Sequence, residues 1–255
     1  MNSKTPGKSH GPRFLRSLLG AAVLTAGMGL AATTASATAV LSGSVGGVPT
    51  GADHYETFDS LAPGTSTTTV LGGGLTVSFS PDGKAVQGAQ SGLYAAPVLS
   101  GGNGANFGGQ ADGIDATTYL TSGGPNGSTT LTFNTQQKYL GLLWGSVDAY
   151  NTLEFFSGGA SVATFTGADV GASAGTGNCI GGLQNALGTC YVNINFLTQS
   201  FDKVVATSSS YAFEFDNVAF STAPVGVPEP ETLAMFGLGL LLVGSAYRFK
   251  ARKSA

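Results

Sequence analysis

Hydrophobic and polar residues alternate along much of this chain with a repeat of two residues. Residues 75–80 read Leu-Thr-Val-Ser-Phe-Ser, and similar alternation recurs at 130–134, 192–196 and 213–215. This period predicts β-strands with one buried face, whereas an amphipathic helix repeats every 3.6 residues. Further strand candidates are 54–59, 92–98, 117–121, 138–144, 151–157, 160–166 and 201–207. About ten short strands between glycine-rich turns, with no amphipathic helix, predict an all-β, antiparallel β-sandwich of the jelly-roll kind.

The N-terminal region has the composition of a secretory signal peptide. Basic residues precede an apolar stretch at 18–30, and small residues follow at 35–37. We expect the Sec translocon to export the chain and signal peptidase to cleave it after Ala37, or after Ala39. The basic residues are Lys4, Lys8, Arg13 and Arg16.

The C-terminal region has a proline-rich motif, a short apolar run and a basic tail, in that order. As a helix, the run at 233–247 would span about 22 Å, less than the roughly 30 Å hydrocarbon core of a bilayer. Such a run pauses translocation but anchors poorly, and the cations after it stay cytoplasmic. A plain membrane anchor is the alternative interpretation. The motif is Val227, Pro228, Glu229 and Pro230, and the tail cations are Arg248, Lys250, Arg252 and Lys253.

This order of elements resembles the PEP-CTERM sorting signal, which is read by a membrane transpeptidase of the exosortase type. The resemblance implies that a C-terminal transmembrane helix holds the chain briefly in the inner membrane until the exosortase cuts near 228–230. It also implies a final location at the surface of a Gram-negative, polysaccharide-producing bacterium. The predicted domains are a signal peptide at 1–37, a β-sandwich ectodomain at 38–222 and the sorting signal at 223–255.

The net charge of the chain becomes strongly negative once the two predicted signals are excluded. Eight of the eleven basic residues lie in the signals, and between 38 and 227 three lysines stand against twelve acids, a net charge of −9. Nucleic acid is excluded as an expected partner, because phosphate binding needs clustered Lys and Arg. Such an acidic surface favours solubility and attracts divalent cations.

Two glycine-rich connections, 100–116 and 167–189, are too long for simple hairpins, and long ordered loops often carry function. The second contains Cys179 and Cys190, the chain's two cysteines. In an oxidising compartment such a pair predicts a disulfide. Closing this loop would remove about 3 kcal/mol of unfolded-chain entropy.

Four segments of the ectodomain carry a second resemblance. They are Tyr-Glu-Thr-Phe-Asp at 55–59, the Trp- and Tyr-containing segment 143–155, Phe-Asp-Lys-Val-Val at 201–205 and Ala-Phe-Glu-Phe-Asp-Asn-Val at 212–218. Together they resemble the exosortase-dependent surface proteins typified by a cyanobacterial member. The resemblance implies a role in the extracellular matrix or biofilm and supplies no catalytic residue.

Signatures of enzyme chemistry are nearly absent, so we expect no enzyme. His54 is the one histidine outside the signals, and the chain has neither a Gly-x-Ser-x-Gly elbow nor a His-Glu-x-x-His motif. Asp148 and Glu154, near several aromatic residues, form the best pair for a carboxylate-dependent glycoside hydrolase. A turn position for Asp148 and a polar strand face for Glu154 explain both without catalysis.

Binding fits the residues better than catalysis. Trp144 and Tyr150 are candidates for stacking on sugar rings, although Trp144 alternates with Leu142 and can equally fill the core. No cofactor is expected apart from structural calcium, for which Asp112 with Asp115, and Asp216 with Asn217, are the candidate ligands. We therefore predict a structural or adhesive surface protein associated with exopolysaccharide, with a carbohydrate-binding module and a glycoside hydrolase as alternatives.

Overall fold

The computed structural model describes residues 39–49, 51–226 and 240. The predicted signal peptide and nearly all of the predicted C-terminal helix lie outside these ranges. Within the described ranges no helix is long and apolar enough to cross a membrane.

Fifteen strands and one α-helix make up the described fold, and all the strand pairs are antiparallel. The strands are β1 Ala39–Ser44, β2 His54–Glu56, β3 Thr69–Val70, β4 Leu75–Phe79, β5 Lys84–Val86, β6 Val98–Leu99, β7 Gly113–Ile114, β8 Tyr119–Thr121, β9 Ser128–Gln137, β10 Tyr139–Gly145, β11 Asn151–Ser157, β12 Ala160–Thr166, β13 Cys190–Phe196, β14 Phe201–Ser208 and β15 Glu214–Ser221. The predicted all-β, antiparallel class is confirmed.

The strands form two main sheets. The larger sheet has seven strands in the order β1-β13-β10-β15-β8-β5, with β2 also paired to β15. The smaller sheet has six strands in the order β12-β11-β14-β9-β4-β3, and β6 and β7 form a separate pair. The chain passes repeatedly between the main sheets, from β9 to β10, from β10 to β11, and from β13 through β14 to β15.

One hydrophobic core is shared by the two main sheets. The smaller sheet contributes Leu75 and Phe155, and the larger sheet contributes Leu140, Val192 and Phe220. All five are buried, because alternate positions of each strand point to the same side.

The opposite faces of the two sheets differ. On the smaller sheet, Thr132 is exposed and Glu154 and Lys203 are half-buried. On the larger sheet, β10 and β15 are buried at every position. We call residues 87–118 the covering segment, because its Leu99 and Phe107 pack with residues of this outer face: Tyr139, Leu143, Tyr191 and Ala219.

One α-helix, Gly167–Ala174, begins within the connection that the sequence pattern left without structure. Thr166 and Asp169 form a capping box, in which Asp169 N–H donates to Thr166 Oγ1 at 3.3 Å and Thr166 N–H donates to Asp169 Oδ2 at 2.8 Å. The pattern at 166–169 carried that signal, but its many glycines favoured a loop. The strand predicted at 92–98 was also wrong, since there only Val98 belongs to a strand, β6.

Candidate functional site

A cavity of about 390 Å³ lies at one end of the larger sheet. Its lining comes from residues 89–94 of the covering segment and from Gln184 in the connection before β13. The turn between β10 and β11 and the residues leading into β15 complete it, with Ser146, Asp148, Tyr150, Tyr211, Ala212 and Glu214. A volume between ~300 and 1,000 Å³ is typical of small-molecule sites.

The turn between β10 and β11 carries Asp148 and Tyr150 into the cavity wall. Ser146 has a left-handed backbone, with φ of 45°, which redirects the chain after β10. The buried Asn151 then holds the turn, because its amide donates to Ser146 O at 3.2 Å and its Oδ1 accepts from Ser208 Oγ at 2.7 Å. Asp148 and Tyr150 therefore lie on a fixed turn.

Two carboxyl groups line the cavity, from Asp148 and Glu214. Glu214 is 2 % exposed, and its Oε1 accepts a hydrogen bond from Ala95 N–H at 2.9 Å. Burial raises the pKa of Glu214 to about 8, the bond from Ala95 opposes this rise, and the charge of Asp148 adds to it. At neutral pH Glu214 is therefore mainly protonated, and its side chain is a hydrogen-bond donor at the cavity floor.

Three tyrosines, Tyr94, Tyr150 and Tyr211, surround these carboxyl groups. Tyr150 is 37 % exposed and Tyr211 is 43 % exposed, so both rings present part of their surface to solvent. Tyr150 Oη donates to Tyr211 O at 3.2 Å, which links two sides of the cavity. The cavity thus combines aromatic surface with hydrogen-bonding groups.

The structure separates several residues that the sequence analysis had grouped. Trp144 is fully buried and stacks on Phe213 at 4.2 Å between ring centroids, so it fills the core and its ring is not on the surface as a sugar platform. Glu154 lies on the outer face of the smaller sheet, away from the cavity that Asp148 lines. The carboxyl group beside Asp148 is that of Glu214.

The four candidate calcium ligands also divide. Asp112 is exposed, and its Oδ1 accepts from Gly102 N–H at 2.9 Å. Asp115, Asp216 and Asn217 are fully buried. Burial raises the pKa of Asp216, and contact with the Asp115 carboxyl raises it further. Across the described ranges no three His, Cys, Asp or Glu side chains form a group that could hold a metal.

Cys179 and Cys190 form the predicted disulfide, with 5.6 Å between their Cα atoms. The bond ties the connection before β13 to the first residue of that strand. Both cysteines belong to the core shared by the two sheets.

Glu214, Tyr94 and Tyr211 line the cavity, although no pattern in the sequence marks them as site residues. Glu214 alternates with Phe213 and Phe215, and that alternation places it opposite the core, on a face that would ordinarily be open to solvent. Its burial depends on Ala95 in the covering segment, about 120 residues earlier in the chain. No local pattern reports such a long-range contact.

Hydrogen bonds hold the chain to the fold as far as Val225, two residues before the Val-Pro-Glu-Pro motif. Asp53 Oδ2 accepts from Ser221 Oγ at 2.7 Å and from Thr222 N–H at 3.2 Å, and Val225 N–H donates to Asn195 Oδ1 at 2.7 Å. The sorting residues, Val227 to Pro230 and Arg248 to Lys253, lie outside the described residues.

Comparison with known proteins identifies one feature, at the C-terminus. Residues 226–253 match the PEP-CTERM protein-sorting motif. No curated protein and no solved structure matches the chain. The motif confirms the predicted sorting signal and identifies an exported, exosortase-sorted protein with the exosortase as its processing partner. The resemblance to the cyanobacterial-type surface proteins stays a prediction.

Proposed function

We propose that this exported protein is a structural or adhesive component of the cell surface, and that its cavity binds a saccharide unit of an extracellular polysaccharide. The observation that carries the proposal is the grouping of Tyr94, Tyr150 and Tyr211 around the carboxyl groups of Asp148 and Glu214. Aromatic rings stack on the apolar faces of sugars, while carboxyl and amide groups bind their hydroxyls.

Each group has a distinct task in this proposal. The part-exposed rings of Tyr150 and Tyr211 provide the stacking surface. Asp148 accepts hydrogen bonds from sugar hydroxyls, and Gln184 contributes both a donor and an acceptor. Glu214 keeps the floor in place through Ala95, because its Oε1 is already committed to that backbone N–H.

The sorting route completes the proposal. The chain enters the Sec pathway through residues 1–37, folds as a jelly-roll-like sandwich over 38–222, and pauses in the inner membrane of a Gram-negative cell through a transmembrane helix within 223–255. The exosortase then cuts near Pro228 to Pro230, and the ectodomain reaches the matrix or biofilm. The hydrogen bonds from Ser221 and Thr222 to Asp53 support this route, since they hold the chain to the fold four to five residues before the matched motif begins at residue 226.

We propose binding in preference to hydrolysis. A glycoside hydrolase needs a protonated acid and a carboxylate on either side of the scissile bond. The raised pKa of Glu214 beside Asp148 favours that second candidate. However, Glu214 is almost completely buried and bonded to Ala95, which leaves it poorly placed to reach a glycosidic oxygen.

The binding proposal is tested by affinity electrophoresis of the processed protein through gels that contain one neutral or acidic polysaccharide each. Retardation by at least one polysaccharide is expected, and Tyr150→Ala or Tyr211→Ala should weaken it by about threefold to tenfold. Tyr55→Ala is the matched control, since Tyr55 is 40 % exposed but lies outside the cavity lining. Equal loss in all three variants, or no retardation by the wild type, would contradict a site at this cavity. Release of reducing ends from a bound polysaccharide would replace binding with hydrolysis.

The sorting step has its own experiment in a host that carries an exosortase. Glu229→Ala, or deletion of residues 248–253, should leave signal-peptide cleavage intact and trap an unprocessed form at the inner membrane. The prolines present an extended segment, and the cations fix the cytoplasmic end. A surface protein that still carries Ala255 in the wild type would replace the transpeptidase with a plain anchor.

A further inference from the structure

Three polar side chains, two on the outer face of the larger sheet and one in the covering segment, are buried with too few partners. Asp115, Asp216 and Asn217 are each 0 % exposed. Both carboxyl oxygens of Asp216, both amide atoms of Asn217 and Oδ2 of Asp115 have no hydrogen-bond partner. A buried polar atom without a partner costs about 1–3 kcal/mol, and a buried charge costs more. Folds therefore rarely leave such groups uncompensated.

The backbone at Asn217 departs from a regular strand. Asn217 has a left-handed backbone, with φ of 51°, at a point where the pairing between β10 and β15 shifts register. A bulge of this kind re-aims side chains locally. Tyr191 Oη donates to Asn217 O at 3.1 Å and supports the bulge from β13.

Asp115 reaches the same place from the covering segment. Its N–H donates to Pro97 O at 2.9 Å, and its Oδ1 accepts from Thr117 N–H at 2.9 Å and from Thr117 Oγ1 at 2.7 Å. One carboxyl oxygen is thus committed to the segment, and Oδ2 is left to face Asp216. Two carboxyl groups from positions about 100 residues apart therefore meet, and the Asp115 carboxyl raises the pKa of Asp216 both through its charge and through a hydrogen bond between the two carboxyl groups. No free oxygen of this pair accepts a hydrogen bond from the side chain of a third residue.

We propose that Asp115, Asp216 and Asn217 bind a calcium ion. Their oxygens are hard ligands, and Ca²⁺ takes six to eight of them at flexible geometry, drawn from carboxylates, amide and backbone carbonyls and water. With Oδ1 of Asp115 committed to Thr117, the three side chains supply up to four of these ligands, and backbone carbonyls would complete the shell. Mg²⁺ fits less well, because it demands a near-ideal octahedron and keeps several waters that a buried site excludes.

Neighbouring charges favour a bound cation over a basic side chain or a shared proton as the partner of these carboxyl groups. The ectodomain has three lysines against twelve acids. The charge of Asp59 also acts on Asp216 with the same sign as that of Asp115. Among the described residues no Lys or Arg pairs with these carboxyl groups, and a proton shared between the carboxyls would leave Oδ1 of Asn217 without the partner that a bound cation provides.

The ion would have a structural task that is separate from saccharide binding. It would link Asp115, near the end of the covering segment, to the bulge of β15, and so hold that segment on the outer face of the larger sheet. This site is distinct from the cavity lined by Asp148 and Tyr150, so the two sites fail or succeed in separate experiments.

The test uses the processed protein after chelation, at constant ionic strength. Equilibrium dialysis with ⁴⁵Ca²⁺ should show one tightly retained ion per chain, and calcium at 100-fold excess over its Kd should raise Tm by roughly 5–10 °C. Asp216→Asn and Asp115→Asn should each abolish the retained ion and the rise in Tm. Asp112→Asn, from the same segment but exposed, is the matched control and should keep both.

Two variants are used so that a folding failure in one does not decide the result. Failure of the chelated wild type to retain calcium, with Tm unchanged from zero to millimolar calcium, would overturn the proposal in favour of a shared proton or bound water. Loss of calcium in Asp112→Asn with retention in Asp115→Asn and Asp216→Asn would move the ion to surface acids and overturn it as well. An equal rise with Mg²⁺ would overturn the choice of calcium.

Discussion

The inner faces of the two main sheets are similar, whereas their outer faces differ. Both inner faces supply apolar side chains to one core, as with Phe155 in the smaller sheet and Leu142 in the larger sheet. The outer face of the smaller sheet is polar and open, with Thr132 exposed and Glu154 half-buried. The outer face of the larger sheet is buried, and it carries Glu214 together with Asp216 beneath the covering segment.

The difference shows what decides the environment of a polar residue in a strand. In the smaller sheet, local alternation decides it, since polar positions point away from the core and into water. In the larger sheet, a distant segment decides it by closing over the same kind of position. The functional candidates, both the cavity and the buried carboxyl pair, occur on the covered face.

The largest expected effect is a difference in the free energy of unfolding between variants on the two faces of the smaller sheet. Phe155 is fully buried against Phe165, Phe196 and Phe201, so Phe155→Ala should lower the free energy of unfolding by about 3–5 kcal/mol. The neighbouring Phe156 points outward, where Lys203 Nζ lies 4.2 Å from its ring centroid. Phe156→Ala should cost at most about 1 kcal/mol. Urea denaturation of both variants gives the comparison.

The same two variants can also contradict the contrast between a buried inner face and an open outer face. Equal costs for the two phenylalanines would mean that the outer face of the smaller sheet is covered as well. A shared interface with another molecule is one such cover, and it would appear as a concentration-dependent Tm.

The larger sheet should behave differently at adjacent positions. Leu142 faces the shared core and Leu143 faces the covering segment, and their exposures are 1 % and 0 %. Leu142→Ala and Leu143→Ala should each therefore cost about 2–5 kcal/mol in urea denaturation. A cost below about 1 kcal/mol for Leu143→Ala alone would show that the covering segment detaches readily and that the outer face is effectively open.

Much of the smaller sheet was predictable from the sequence. The strands expected at 151–157 and 160–166 are β11 and β12 with the same bounds, and the alternation at 75–80 corresponds to β4, which ends one residue earlier at Phe79. In β4 and β11 buried positions alternate with less buried ones, so the period of two is visible in their residues. Short strands such as β5 and β7 went unpredicted, because two or three residues carry too little pattern to be recognised.

The candidate site was only partly predictable. Asp148 and Tyr150 were found because their turn joins two strong strand patterns, and Asp115, Asp216 and Asn217 because hard oxygen ligands are recognisable by type. The sequence did not allow us to predict which acids pair in space. Asp148 lies beside Glu214 and not beside Glu154, and Asp115 meets Asp216 while Asp112 faces solvent. These meetings depend on where the covering segment settles, which is a property of the whole fold.

The smallest expected effect is a pH-dependent change in stability at Glu214, on the covered outer face of the larger sheet. Glu214 has a pKa of 4.5 as an ordinary side chain and about 8 when folded, because burial penalises its charged form. Between these values the folded state holds a proton that the unfolded state releases, so this group's contribution to stability is fully present at low pH and is lost as pH rises from about 4.5 to about 8.

Glu214→Gln keeps an acceptor for Ala95 N–H and removes the ionisation. It should therefore be more stable than the wild type at pH 9, by roughly 1–3 kcal/mol, and nearly unchanged at pH 5. Urea denaturation at both pH values, in chelator and at constant ionic strength, measures this, and Glu154→Gln on the open face of the smaller sheet is the matched control. If the two variants track each other across that range, the outer face of the larger sheet admits water as freely as that of the smaller sheet, and the contrast between the two faces is lost.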